Sequence, residues 1–396
     1  MLHPHDMDYD PWTIRILESA KHLALRGHSV TLGYVPKRKV EPHEKPVHEH
    51  FPEHIAVHRL GVRNSDLYRN TRQVMDLARH ADIVHVQKCF PVAVVPCLWA
   101  AYLLDLPVHY DWDDYETAIS RIVCEDVLVR HKTAIWERRM PSFVDTLTYS
   151  SEGVRQLAIQ CGFPQDRMWW APVGANLEHF APGENAADIR RKHGADENTP
   201  IVLYLGQLEG AAYGELAARS MEFVYPKHPD AVLWIVGGGK GLEELRRFCD
   251  RIPWGKCIRL LGYVPHEEVP RYLAAATVCV ASFEENAATV CKSPLKIAEY
   301  LAAGKAIVAS GIGEVPRMLD SCGIIVDPGN PEALAIGING FLEDLEFRIK
   351  YERLARKKAE DIFNWAKTAE TLETAYMYAV ALRRGIANSG EGKDKG

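Results

Sequence analysis

Short apolar runs of strand length alternate along this chain with longer segments in which apolar residues recur every three or four positions. That alternation argues for parallel sheets covered by helices on both faces, an α/β class. In the first half the runs at 29–35, 55–60, 82–87, 107–111 and 145–149 read as strands, with a further extended piece near 168–172. Ile16, Ala20 and Leu23 share one face of the first helix, which Gly27 closes as a C-terminal cap. Met1-Leu2 is then only the stub of a first strand, so either residues are missing upstream or that strand is unusually short. A second series places strands at 201–205, 232–236, 258–261, 278–281, 306–309 and 323–326. Between the two series, near 182–199, the pattern dissolves into Pro-Gly-Glu-Asn-Ala-Ala-Asp, a short charged helix and Gly-Ala-Asp-Glu-Asn-Thr, which reads as a connector. The amphipathic segment 365–384 is long enough to pack back across the junction, and the polar residues 388–396 have the composition of a disordered tail. The predicted organisation is a first domain over 1–183, a second over 184–364, a returning helix over 365–387 and a tail over 388–396.

Length agrees with that division, because 396 residues exceed one ordinary core. Hydrophobic residues at 47% and charged residues at 25% give the balance of a soluble globular protein. A net charge of −6 excludes a global basic field that would recruit nucleic acid. Four local basic clusters remain: Lys37-Arg38-Lys39, Arg138-Arg139, Arg190-Arg191-Lys192 and Arg356-Lys357-Lys358. Each reads first as a solvated face, with contact to anionic membrane lipid as the functional alternative. The nine cysteines are scattered, with no Cys-x-x-Cys pair and no zinc spacing, as in a reduced cytosolic chain. The most apolar stretch, 90–106, is interrupted by Pro91 and Pro96 and reads as a buried core helix rather than a membrane span. The N-terminus Met1-Leu2-His3-Pro4-His5-Asp6 lacks the pattern of a signal peptide.

Two glycine-rich turns sit at strand-to-helix junctions: Leu205-Gly206-Gln207-Leu208-Glu209-Gly210 and Gly237-Gly238-Gly239-Lys240-Gly241. Such turns let backbone N–H groups and a helix N-terminus approach an anion, although a tight connecting turn is the plainer reading of either alone. The second lacks the spacing and Ser/Thr of a P-loop, so ATP hydrolysis is not implied. Two of them at the carboxyl ends of neighbouring strands lie where open α/β sheets bind ligands. The run from Lys292 and Ser293 to Ser310 says more. Pro294 suits the first turn of a helix whose free N–H groups favour a phosphate, Lys296 adds a cation, and Glu299 offers a carboxylate to ribose hydroxyls or simply faces solvent. In the first half, Asp111-Trp112-Asp113-Asp114 ends a strand; its carboxylates either work at a site or cap the following helix. His85 and Lys88 end the preceding strand and are placed to line the same cleft, although a histidine such as His85 is more often a satisfied core residue. The bulky loop from Asp8 to Arg15 carries Trp12, able to stack on a sugar or to be buried, and Arg15.

The block Pro294-Leu295-Lys296-Ile297-Ala298-Glu299-Tyr300, continuing through Gly304-Lys305 to Ala309-Ser310, resembles the donor-site signature of the family 4 glycosyltransferases. Gly311-Ile312-Gly313-Glu314-Val315-Pro316 extends the likeness. Pro172-Val173-Gly174-Ala175-Asn176 with Phe180 resembles the family's junction segment, and Leu261-Gly262-Tyr263-Val264 its turn beside the base, so the match runs over roughly residues 140–330. This resemblance implies the GT-B architecture, two Rossmann-like domains facing across a cleft, with the acceptor mostly on the first and a nucleotide-sugar on the second. It implies a donor site of Gly206, Gln207, Gly238, Tyr263, Val264, Lys292, Ser293, Pro294, Leu295, Lys296 and Glu299. Asp111, Asp113 and Lys296 are expected at the reacting centre, the two aspartates where many relatives keep a His, and Trp12, Arg15 and His85 at the acceptor. Transfer with retention follows, without a separate nucleophile, cofactor or metal, because the leaving diphosphate itself helps deprotonate the acceptor. The donor expected is of UDP or GDP type, the acceptor a glycan, a lipid-linked sugar or a small molecule, and the location cytoplasmic, with peripheral contact at the inner face of a membrane left open.

Three positions depart from the family pattern: Cys291 stands for its first acidic residue, Gln207 for its Arg and Tyr213 for its Lys. Diphosphate charge then falls to Lys292, Lys296, Lys240 or backbone amides. Two alternatives stay open, a scaffold on a degenerate transferase fold and a nucleotide-sugar epimerase. Asp-Trp-Asp-Asp also matches the metal motif of the single-domain GT-A transferases, but the block around Glu299 does not belong to that architecture.

Overall fold

The computed structural model describes residues 1–7, 13–37, 55–62, 64–208 and 213–385. Its elements, in order, begin β1 (Leu2–His3), α1 (Ile14–Leu25), β2 (Val30–Tyr34), β3 (Ile55–Arg59), α2 (Leu67–Ala78), β4 (Val84–Gln87) and α3 (Pro91–Leu104). There follow β5 (Val108–Trp112), α4 (Glu116–Val123), α5 (Val127–Arg139), β6 (Thr146–Tyr149), α6 (Glu152–Gln160), β7 (Met168–Trp170) and α7 (Ala187–Lys192). The second half holds β8 (Ile201–Leu205), α8 (Tyr213–Val224), β9 (Val232–Val236), α9 (Leu242–Cys249), β10 (Ile258–Gly262), α10 (Val269–Ala275) and β11 (Val278–Ala281). It closes with α11 (Leu295–Ala302), β12 (Ala306–Ser310), α12 (Val315–Leu319), β13 (Ile324–Val326), α13 (Pro331–Glu343), α14 (Leu345–Asp361) and α15 (Trp365–Arg383).

Two compact units result, Met1–Pro172 with Trp365–Gly396, and Val173–Asn364. The first contains a seven-stranded sheet in the order β3-β2-β1-β4-β5-β6-β7, every pair parallel. Two-residue β1 is central, hydrogen-bonded on both sides. Leu32, Val86, Tyr110 and Leu147 are buried in successive strands, the continuous apolar run that a sheet covered on both faces requires. Helix α15 lies on this sheet against β5, β6, β7 and α1, burying Ala369, Leu372, Ala375 and Ala379.

The second unit has six parallel strands in the order β10-β9-β8-β11-β12-β13. Its core joins Val202, Tyr204, Leu233, Ile235, Val280 and Val308 of the strands to Leu216, Met221, Leu334 and Phe341 of α8 and α13. The units part at Pro172, eleven residues before the connector read from composition, because 173–182 is tied to the second unit. Ala175 N donates to Phe363 O at 3.0 Å, and Arg356 Nη1 donates to the carbonyls of Leu177 and Ala302 at 3.1 and 2.7 Å. That guanidinium takes one residue of the Arg356-Lys357-Lys358 cluster out of the solvated class. The tail at 388–396 lies outside the described residues.

The apolar stretch 90–106 forms α3, but not as a wholly buried helix: Trp99, Tyr102 and Leu103 are exposed along one stripe. Among the described residues no helix is long and apolar enough to cross a membrane. None of the nine cysteines is in a disulfide.

Candidate active site

In the second unit the order of strands reverses between β8 and β11, and the loops that leave the carboxyl ends there form the crevice in which such sheets take ligands. Backbone bonds stitch these loops together: Gly206 N to Val236 O at 3.0 Å, Leu208 N to Gly238 O at 2.9 Å, and Gly237 N to Gly262 O at 2.8 Å. Glycine is required at two points. A Cβ on Gly237 would lie 1.8 Å from Gly206 O, and one on Gly206 would lie 2.5 Å from Lys296 Nζ; both residues have φ near +145°.

Helix α11 starts at Leu295 behind Pro294, whose ring fixes φ at −73°. Its first N–H groups have no partner within the helix. Beside them Ser293 is buried with its hydroxyl unpartnered. As the second residue of the helix, Lys296 turns its ammonium onto the Tyr204 ring, 4.1 Å from the centroid, with Phe283 at 5.7 Å. No carboxylate among the described residues lies within ion-pair distance of that ammonium. Burial, then the charge of Lys292, lower it to about 7, with Glu299 pulling the other way. An unpaired cation, an unpartnered hydroxyl and a helix N-terminus thus converge where Gly206 leaves room, an arrangement suited to a diphosphate.

Glu299 is buried, not solvent-facing, and its Oε1 is 2.8 Å from His266 Nε2. The His266 ring packs on Phe180 at 5.5 Å and on His179 at 5.8 Å. Sequence reading misses His266, because only the folded second unit brings it to α11. Tyr263 is exposed next to Gly238, and Val264 is half-buried. Gln207 is exposed. Tyr213 packs edge to face on Phe283 at 5.4 Å and its carbonyl accepts from Ser282 Oγ; Cys291 is buried. Neither Tyr213 nor Cys291 therefore supplies the charge that the family residue at its position would.

The first unit reverses its strand order between β1 and β4. There Lys88 adopts φ of +65°, rare for a residue with a side chain, and buries its ammonium among three carboxylates. Its Nζ lies 2.5 Å from Glu116, 3.3 Å from Asp113 and 3.5 Å from Asp114. Gln87 Nε2 donates to Asp113 at 2.9 Å. Burial raises Asp113 and Glu116 above ordinary carboxylates, the Lys88 charge opposing it. Asp113, Asp114 and Glu116 bring their oxygens close enough together to hold a metal ion, and the Lys88 ammonium stands among them as the counter-charge. Glu116 and Gln87 fall outside the expected set of site residues.

Asp111 and Arg15, expected at the reacting centre and at the acceptor, instead pair with each other in the core. Arg15 Nε and Nη2 each donate to Asp111 at 2.7 Å, Nη2 also reaches Ala171 O at 2.8 Å, and Thr148 Oγ1 donates to Asp111 at 2.7 Å. Burial favours the neutral acid, but the guanidinium overrides it and holds Asp111 far below the usual carboxylate range. His85 is likewise committed, with Nδ1 2.6 Å from the Tyr376 hydroxyl and its ring stacked on His109. Trp12 lies outside the described residues.

Family models match both halves: residues 13–174 fit the glycosyl transferase 4-like domain, and residues 199–344 fit glycosyl transferases group 1. The chain belongs to the family 4 glycosyltransferases. It is 27% identical over 301 residues to a D-inositol 3-phosphate glycosyltransferase of Corynebacterium glutamicum, covering 72% of this chain and 68% of that protein. Identity is also 27% to a GDP-mannose-dependent phosphatidylinositol monomannoside mannosyltransferase of Mycolicibacterium smegmatis, over 59% of this chain and 64% of the relative. Anabaena HepE, solved with UDP and glucose, superposes with a TM-score of 0.73 over 95% of this chain and 98% of its own, at 15% identity. The transferase thus has the GT-B fold, a Rossmann-like unit in each half.

Proposed function

We propose that this transferase moves a sugar from a nucleoside-diphosphate donor to an acceptor hydroxyl, with retention of configuration and without a metal ion. The observation that carries this reading is the convergence of Lys296, the Ser293 hydroxyl and the α11 N-terminus at the strand-order reversal of the second unit. In it, the N–H groups of Leu295 and Lys296 and the two lysines Lys292 and Lys296 neutralise the leaving diphosphate, Glu299 and His266 hold the ribose, and Tyr263 lies against the base. UDP fits by analogy with Anabaena HepE, GDP by analogy with the mycobacterial mannosyltransferase. Asp113, held between Lys88 and Gln87, is assigned to the acceptor hydroxyl; Arg15, Asp111 and His85 are assigned to holding the first sheet together.

The buried Cys291 and the packed Tyr213 favour a second reading, a scaffold that keeps the fold but not the reaction. One experiment separates them. Purified chain is screened by thermal shift against UDP, GDP, ADP and dTDP and their sugar conjugates, followed by chromatography for released nucleotide, with Glu299→Ala beside it. The transferase reading expects one nucleotide series to raise Tm, its sugar conjugate to be turned over, and both effects to be lost in the variant. Binding without turnover under any condition supports the scaffold.

A further inference from the structure

The crevice of the first unit has a charge balance that its fold does not require. Where the strand order reverses between β1 and β4, the cations that pair with its buried carboxylates, among the described residues, are Lys88 and Arg15, and Arg15 is committed to Asp111. Lys88 alone then faces three carboxylates, Asp113, Asp114 and Glu116. A fourth, Glu137 of α5, is bound to the backbone of Glu116 and Thr117 just behind them. An ion-pair network built only for stability would match its charges, because a buried carboxylate without its own counter-charge is costly.

Backbone contacts hold these groups in place. Ser150 Oγ donates to Asp113 O at 2.5 Å, and Trp112 Nε1 to Asp114 O at 3.0 Å. Acceptor atoms without donors lie beside them. Gln87 is fully buried; its Nε2 is bound to Asp113, and its Oε1 has no hydrogen-bond partner among the described residues. His3 follows Leu2, which pairs with Val86, so it stands beside Gln87 across the two strands; it is fully buried, with neither ring nitrogen hydrogen-bonded. Burial, then the charges of His5 and Lys88, keep that imidazole neutral, which leaves one of its nitrogens an acceptor as well. Asp114 is the member that reaches solvent: its side chain is 32% exposed, and its 3.5 Å contact with Lys88 is the longest of the three.

What the crevice lacks is a positively charged hydrogen-bond donor. A phosphate would bring like charge and more acceptor atoms. A hydroxyl would bring a donor without charge. A protonated amine brings three N–H donors and the missing charge together. A divalent ion among the same oxygens would stand against the Lys88 ammonium, whereas an amine on a sugar meets Asp114 from the solvent side. We propose that the first unit selects an acceptor sugar carrying a protonated amine, with Asp114 as the charge partner of that amine and Gln87 Oε1 accepting from the same sugar, and that it rejects a phosphorylated acceptor. The proposal rests on the reading that Asp113 takes the acceptor hydroxyl, and it names the class of acceptor.

The test is saturation-transfer NMR of the full chain with glucosamine, N-acetylglucosamine, glucose and glucose 6-phosphate, which share one ring and differ in charge. Glucosamine is expected to bind roughly tenfold more tightly than glucose or N-acetylglucosamine, the size of one charge-assisted contact, and glucose 6-phosphate more weakly than either. Asp114→Asn should abolish the preference, and Asp114→Lys should turn it towards glucose 6-phosphate; circular dichroism melts check that both variants fold. Equal affinity of the native chain for glucosamine and glucose overturns the proposal whatever the variants do. So does tight binding of glucose 6-phosphate, or a preference for glucosamine that survives in a folded Asp114→Asn chain. Transfer from UDP-glucose and GDP-mannose to the same four sugars is followed in parallel by mass spectrometry. Transfer that ignores the acceptor's charge leaves the transferase reading standing and sinks the amine site. A preference for glucosamine that Asp114→Asn abolishes, without transfer to any sugar from either donor, leaves the amine site standing and sinks the transferase reading.

Discussion

The Lys296 ammonium gives the donor site a pH dependence of calculable sign and size. Without ligand it titrates at about 7, so roughly nine-tenths is charged at pH 6 and one-tenth at pH 8. A diphosphate beside it favours the charged form, so the complex holds the proton across this range and binding above pH 7 takes one up. Affinity for a nucleotide-sugar should then fall about tenfold from pH 6 to pH 8. A nucleotide-sugar such as UDP-glucose is the right ligand, because its diphosphate does not titrate there, whereas the terminal phosphate of UDP does. Lys296→Met removes the cation while keeping the packing on Tyr204. Losing one charge-assisted contact, worth about 1.5–3 kcal/mol, should cost roughly 10- to 150-fold at pH 6, and about tenfold less at pH 8. Isothermal titration in buffers of different ionisation enthalpy measures affinity and proton uptake together. Flat affinity between pH 6 and 8 would mean that Lys296 does not meet the diphosphate. An unchanged slope in Lys296→Met would assign the titration to another group.

Gly206→Ala and Gly237→Ala both put a side chain at φ near +145° and should both lower Tm, Gly237→Ala more because its Cβ meets the Gly206 carbonyl and not the far end of a flexible lysine; melts with and without nucleotide show the additional loss of donor binding expected at Gly206. Arg15→Met leaves Asp111 buried without its partner and should cost about 3–5 kcal/mol by urea unfolding, with nucleotide affinity unchanged. Lys88→Met strips the counter-charge from Asp113 and Glu116, whose folded-state pKa values, already raised by burial, then rise further above their unfolded ones. Folded protein binds the extra protons, so stability falls as pH rises through that interval, and the Tm deficit against wild type should be larger at pH 8 than at pH 5. An equal deficit at both values would count against the buried network.

Much of the fold is local and so is legible in the chain. Strand positions in both halves follow from runs of Val, Ile and Leu that only a sheet covered on two faces can bury. The turn at Gly206 and the helix start at Pro294 follow from backbone stereochemistry that acts residue by residue. Lys296 and Glu299 are found the same way, one turn apart on a helix whose start is fixed. Pairing across the sheet is not legible. Nothing in the spacing of Arg15 and Asp111, 96 residues apart, distinguishes a site pair from a core ion pair; parallel strands and the burial of both groups decide it. His266 meets Glu299 through the packing of a separate loop, and Lys88 meets Glu116 because the β4 and β5 ends are adjacent. The exposed stripe on α3 hides inside the most apolar stretch for a related reason: hydropathy records what a residue prefers, while the neighbours on the sheet decide which of those preferences are met. Residue order therefore specifies the elements and the helix-borne part of the candidate site, and only long-range packing settles which charged groups are left without a partner.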